Sequence, residues 1–400
     1  MALVTKTFSD IITFTRASTG TYFNSSGTLV TAAINGFRLD YNPSTLAAQG
    51  LLIEEQRTNQ ILQSQDFSTT WTLGTGNPTI TTNAIVAPDG TLTADKLVEG
   101  TSNGGQNVLQ INVSFASGTN AYSVFAKAGE RYKITLNEST TLGAAVLFDL
   151  SAGTVLSSTG GGSPAPSGQI QAVGNGWYRC TMLLTQGSTA NRTARIYVVD
   201  DATTTAANSI LSRTGDGTSG VFIWGAQLEA GAFPTSYIPT TTAAVTRSAD
   251  AAIVNTLTPW YNQTEGTLYA ELGVVNLSTS TQPIAFSIND TTANNRWSGG
   301  QSTGNLGVML RNTGGVGLVQ TSTANAVSAG INKLAVAISS GASIVLNGGT
   351  VATSATYSAP TVTQLEIGRQ LTAAYWNGYI RRITYYPRRL SNAELQTITA

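Results

Sequence analysis

What most constrains this chain is the rhythm of its apolar residues. They come in short runs that alternate with polar ones, and Gly, Asn, Ser and Pro break the runs along nearly all of the 400 residues. Successive side chains of a strand point to opposite faces, so such a run buries one face only. In RYKITL, Tyr132, Ile134 and Leu136 share one face, with Arg131, Lys133 and Thr135 on the other. In LYAELGVV, Leu268, Ala270, Leu272 and Val274 alternate inward, and in KLAVAIS so do Leu334, Val336 and Ile338. Helical periodicity is nearly absent. Many short strands divided by turn residues predict sandwiches or barrels.

The length exceeds that of an ordinary single domain. The expected fold is all-β, with two antiparallel β-sandwich (jelly-roll) domains, an N-terminal docking region and one short C-terminal helix. Residues 1–60 show little alternation and end in LLIEEQRTN; they read as an arm or docking region, or else as an ordered lead-in to the next domain. Residues 61–250 read as the first sandwich, with an exposed loop at GGGSPAPSG (Gly160 to Gly168). That loop is no phosphate cradle, because no Gly-Lys-Ser/Thr follows it. AAIVNTLTPWYNQT (251–264) reads as a connection inside the last unit, 251–400. There Asn347-Gly348 between apolar runs predicts a hairpin turn. Ser391 followed by Glu394 predicts a capping box opening a helix.

Composition narrows the function. Charged residues make up 10% of the chain and the formal net charge is zero. A nucleic-acid or anionic-membrane partner would call for a basic excess. There is no histidine, so the commonest general base and metal ligand is missing. The single cysteine, Cys180, lies on one face with Tyr178, Met182 and Leu184, and reads as a small core hydrophobe. No cofactor is implied. No segment approaches the ~18 apolar residues of a membrane span. The first residues, MALVTKTFSDIITFTRAS, lack the unbroken apolar core of a signal peptide. The expectation is accumulation in the cytoplasm where the chain is made.

Several long strings carry a resemblance. FTRASTGTYFNSSGTL (Phe14 to Leu29) and GLLIEEQRTN (Gly50 to Asn59) resemble blocks near the start of many bacteriophage and prophage structural proteins. GNGWYRC (Gly174 to Cys180) and GVFIWGAQLEAGAFPTSYIPTTTAAVTRSAD (Gly220 to Asp250) are similar to the carbohydrate-binding-module-like jelly roll of those proteins. NGYIRRITYYPRRLSNAELQTITA (Asn377 to Ala400) resembles the closing strand and helix of a laminin-G or concanavalin A-like sandwich. The resemblance implies a virion surface protein. It would be a tail fibre or appendage adhesin, or a capsid decoration or head-fibre protein without a glycan ligand. It also implies other virion proteins as partners through the N-terminal region. Virion symmetry favours a homo-oligomer, with a trimer suited to a fibre.

Three chemistries bear on these residues. A polysaccharide depolymerase needs two carboxylates flanking a bond. The adjacent pairs Glu54-Glu55 and Asp200-Asp201 point to opposite faces if they lie in strands, and Arg57 suits a structural ion pair. The reading is therefore not an enzyme. A Ca²⁺ site has only SINDTTANN (Ser287 to Asn295) to offer, where the one carboxylate, Asp290, reads better as a turn residue. Sugar recognition needs exposed rings beside amides. The candidate glycan contacts are Asn294, Asn295 and Trp297 in one loop, and Tyr375, Trp376 and Asn377 in another, against the plainer reading that these rings cap the sandwich. Trp177 and Trp224 read as core, and Gln227, Glu229, Arg247 and Asp250 as structural ties where the chain leaves the first sandwich.

Overall fold

A computed structural model describes residues 7–138, 143–160, 164–275, 283–301, 310–311, 330–354 and 359–400. The protein is all-β. Two six-stranded antiparallel sheets form the first sandwich. At the middle of one, the long strand Gly118–Ala128 pairs with Trp177–Gln186 and Gly220–Ala230. At the middle of the other, Ala190–Val199 lies between Asn107–Phe115 and Lys133–Glu138. Ile134, Leu136, Cys180, Met182 and Leu184 all enter the core shared by these sheets. Cys180 is buried and unpaired, and desolvation pushes its thiol pKa up.

The last sandwich packs a six-stranded sheet on a seven-stranded one. Leu268, Ala270, Leu272 and Val274 point into its core, as do Leu334, Val336 and Ile338. The expected hairpin is present: Asn347 and Gly348 both have positive φ, at 48° and 68°, between Ala342–Leu346 and Ala352–Ser354. That left-handed backbone is what Asn-Gly accommodates. The C-terminal helix, Asn392–Thr399, opens on the capping box. The Ser391 amide donates to Glu394 Oε2 at 2.7 Å, and the Glu394 amide donates to Ser391 Oγ at 3.3 Å.

Two expectations need correction. The described part of the N-terminal region is not an arm standing apart from the sandwiches. Thr13–Thr15 adds a strand beside Ala251–Val254, and Ala48–Ile53 adds one beside Gly378–Tyr386. Leu51 and Ile53 supply core side chains there. Between these strands, the hairpin of Gly20–Phe23 and Leu29–Ala32 packs on the first sandwich, where Leu29 joins Phe125, Trp177, Trp224 and Tyr237. The segment therefore straddles both sandwiches. The supposed connection at 251–264 likewise contains a sheet strand, Ala251–Val254, paired with Gln364–Ile367. Thr13–Thr15 and Ala251–Val254 are short strands whose partners lie more than 100 residues away, and Ala48–Ile53, which pairs nearby with Leu39–Tyr41, shows no apolar–polar alternation. Part of the Gly160–Gly168 loop lies outside the described residues.

Candidate functional site

The chain's crossing from one sandwich to the other is fastened by buried charge. Asp250 accepts Arg16 Nη1 at 3.1 Å on one oxygen and Arg38 Nη2 at 2.5 Å on the other. All three of these side chains are fully buried. Arg38 Nη1 also donates to Glu54 Oε2 at 2.7 Å, and Arg247 lies 3.5 Å from the same oxygen. Ser236 completes the shell, its amide donating to Glu54 Oε1 and its hydroxyl to Oε2, each at 2.7 Å. Burial alone would raise the Glu54 pKa, but Arg247, Arg38 and the Ser236 hydrogen bonds bring it down to about 2. Glu229 ties the adjoining turn by accepting the Thr235 amide and hydroxyl at 2.8 and 2.6 Å. Such buried ion pairs add little net stability. They make the geometry hard to alter, since removing one partner strands the others.

Beside this fastening lies a cleft of about 100 Å³, walled by the first sandwich, the N-terminal hairpin and the last sandwich. Its rings come from separate segments: Tyr22 and Phe23, Tyr41, Phe233 and Tyr379. All five are half-buried. Phe125 forms a buried floor, with the Arg179 guanidinium carbon 5.4 Å from its ring centre. Gln49, Gln171 and Asn377 add amide groups to the walls. Asp40 is the second carboxylate of the cleft. It accepts the Phe23 amide at 2.6 Å and the Tyr379 hydroxyl at 2.8 Å. Burial dominates these bonds and pushes its pKa up to about 6.

Rings and directed amides can hold a hydroxyl-rich, partly apolar ligand. Hydrolysis is poorly served, because both oxygens of Glu54 are engaged by Ser236 and arginine. A carboxylate so paired with arginine is a weak general base. Among the described residues, no three His, Cys, Asp or Glu side chains converge to hold a metal ion.

The expected glycan contacts fall elsewhere, with one exception. Trp297 is not in a loop but in the strand Arg296–Gly300. It is 0% exposed, donates from Nε1 to the Tyr261 hydroxyl at 3.0 Å, and packs edge-on against Phe286. Trp376 is also buried, with Nε1 donating to the Gly273 carbonyl at 3.2 Å. Neither indole offers a face to a sugar, because the last sandwich needs both to fill its core. Tyr375 is half-buried against that core. Asn294 is exposed, and Asn295 donates to Asp290 Oδ2 at 2.7 Å. Asp290 also accepts the Thr292 amide at 2.9 Å, so the segment is a closed turn. Asn377 alone of the six lines the cleft, and it donates to Glu55 Oε2 at 3.2 Å.

The cleft residues Tyr22, Tyr41 and Phe233 were missed. They stand in TYFNSS, LDYNPS and GAFPTS, ring-bearing turns no less visible than those chosen. Nothing local says that these turns converge.

No protein-family model matches the chain, and no curated protein matches it in sequence. Among solved structures, it is similar to the CBM40 of the Ruminococcus gnavus IT-sialidase bound to alpha2,3 sialyllactose. The identity is 22% and the TM-score 0.30, over 35% of this chain and 84% of that one. It is also similar to domains LG4-5 of the mouse laminin alpha1 chain. There the identity is 11% and the TM-score 0.26, over 69% of this chain and 86% of that one. A carbohydrate-binding module and laminin G domains are the kinds of sandwich that the sequence blocks resemble, but at these scores the likeness carries nothing about a ligand.

Proposed function

We propose that this chain is a non-catalytic adhesin of a bacteriophage virion surface, an appendage protein that contacts host-surface glycans through the cleft between its sandwiches. The observation behind the glycan-binding part is the lining of that cleft, where five half-buried rings stand beside Gln49, Gln171 and Asn377. Rings take the apolar faces of a sugar and amides take its hydroxyls. The virion context rests on the sequence blocks at Phe14–Leu29, Gly50–Asn59 and Gly220–Asp250. Assembly in the bacterial cytoplasm and a homo-oligomeric state belong to the same reading.

The test is a glycan array, including host envelope polysaccharides, probed with the full chain. Specific binding that falls by about tenfold in Tyr41→Ala and Gln171→Ala supports the reading. A well-folded chain that binds no glycan would sink it. A second reading, a capsid decoration protein without a glycan ligand, is favoured by Ile11, Ile34, Phe37 and Leu39, large apolar side chains left exposed in the N-terminal segment. Particles lacking the protein would then adsorb normally to host cells.

A further inference from the structure

Phe233 and Asn377 of the cleft also touch Arg57 and Glu55, two lining residues of a second, larger concavity. This open groove, of about 420 Å³, runs between the segment 55–60 and the strand ends near Ser114, Asn120 and Gly231. Its one cation is Arg57, whose side chain is 8% exposed. The guanidinium is held in place from several directions. Nη2 pairs with the Glu55 carboxylate. The Phe233 ring centre lies 4.9 Å from the guanidinium carbon. Gly231, with φ of 141°, gives the space that Nη1 fills, and a side chain there would collide with it. Yet Nη1 itself has no hydrogen-bond partner. The other buried guanidinium nitrogens left unpartnered among the described residues are Nε atoms, each with a single N–H. Arg57 therefore strands the larger donor, itself closed off from solvent, at the edge of an open groove whose walls carry the Glu55 carboxylate and the neutral Gln56, Thr58, Gln60, Ser114 and Asn120.

We infer that this groove is a recognition site for a carboxylate-bearing saccharide, with Arg57 as its anion anchor and Glu55 as the internal group that the ligand's carboxylate displaces. A planar guanidinium matches a carboxylate through two parallel hydrogen bonds, one from each terminal nitrogen. Only one of those nitrogens is engaged now, and the group engaging it is itself a carboxylate. Glu55 is 34% exposed, and turning outward it gives up the hydrogen bond from Asn377 Nδ2 at 3.2 Å together with its pairing to Arg57. The amides and hydroxyls of the walls suit sugar hydroxyls. One cation beside an acidic residue suits a single negative charge and disfavours a dianionic phosphate. The groove shares no lining residue with the cleft, although Phe233 and Asn377 of the cleft touch Arg57 and Glu55.

The experiment is calorimetric titration of the full chain with trigalacturonate and with its methyl ester, which keeps the sugar and removes the charge. The acid is expected to bind more tightly than the ester by about tenfold or more. Arg57→Lys, which keeps the charge and loses the planar fork, is expected to abolish that preference. Glu55→Gln weakens the internal competitor and is expected to tighten the acid several-fold, a change that damage to the fold would not produce. Asn294→Ala, outside both concavities, serves as the unchanged control. Equal binding of acid and ester, no binding of either at millimolar concentration, or weaker binding of the acid by a folded Glu55→Gln variant would each overturn the inference.

Discussion

Two ring-bearing regions of this protein look alike in sequence and end up opposite in structure. In the last sandwich, Trp297 and Trp376 sit among Asn and Gly residues, yet both are buried in its core. Where the sandwiches meet, Tyr41 and Phe233 sit in similar company, yet both stay half-open on a cleft. The difference lies in what each ring packs against. A ring placed between the two sheets of one sandwich buries its apolar area there, which is favourable. A ring at the junction faces a second body that Ser236 ties to the Arg16, Arg38, Glu54 and Asp250 cluster. It cannot close that gap. Concavity at the junction is thus a product of rigid fastening.

The largest effects should come from breaking what is buried on either side of this contrast. Trp297→Ala should lower stability by about 3–5 kcal/mol in chemical denaturation, with ligand binding kept by the folded fraction. Preserved stability with lost binding would restore the loop as the site. Glu54→Gln should cost about 3–5 kcal/mol, because it leaves Arg38 and Arg247 facing a neutral group.

A pH series sharpens the contrast between the two carboxylates at the junction. Glu54 has its pKa lowered from 4.5 to about 2, so its contribution is present above pH 4.5 and is lost as pH falls toward 2. Asp40 is raised from 3.8 to about 6, so its contribution is complete below pH 3.8 and is lost as pH rises through 6. Asp40→Asn should therefore stabilise the protein at pH 7 by on the order of 2 kcal/mol and hardly change it at pH 4, as measured by denaturation midpoints. A difference of the same size at both pH values would contradict the assignment. The smallest effect belongs to the exposed loop: Asn294→Ala should move stability by less than about 0.5 kcal/mol and leave ligand binding untouched.

Much of the fold was legible. The inward alternation at Leu268–Val274 and Leu334–Ile338, the turn at Asn347-Gly348 and the cap at Ser391 depend on neighbours within a few residues, and the structure has each of them. The core position of Cys180 followed from the same alternation. Asp250 and Glu229 were readable as ties because charge is scarce in this chain, although their partners Arg16 and Thr235 were not. Ala48–Ile53, which pairs with nearby Leu39–Tyr41 as well as with Gly378–Tyr386, shows too little alternation to read, and Thr13–Thr15 was illegible because its partner comes from the far end of the sequence. The cleft was illegible for that same reason. Its walls are drawn from residues as distant as Tyr22 and Tyr379, and composition records nothing of that closure. The two tryptophans misled because exposure was assigned from flanking Asn and Gly, whereas burial is decided by the opposite sheet.

The most direct test of the cleft as the binding surface is hydrogen exchange on the full chain, with and without a glycan that it retains on the array. Slowed exchange confined to residues 22–23, 40–43 and 233–236, with 290–297 unchanged, is the predicted result. Protection centred on 290–297, with the junction segments unchanged, would contradict it.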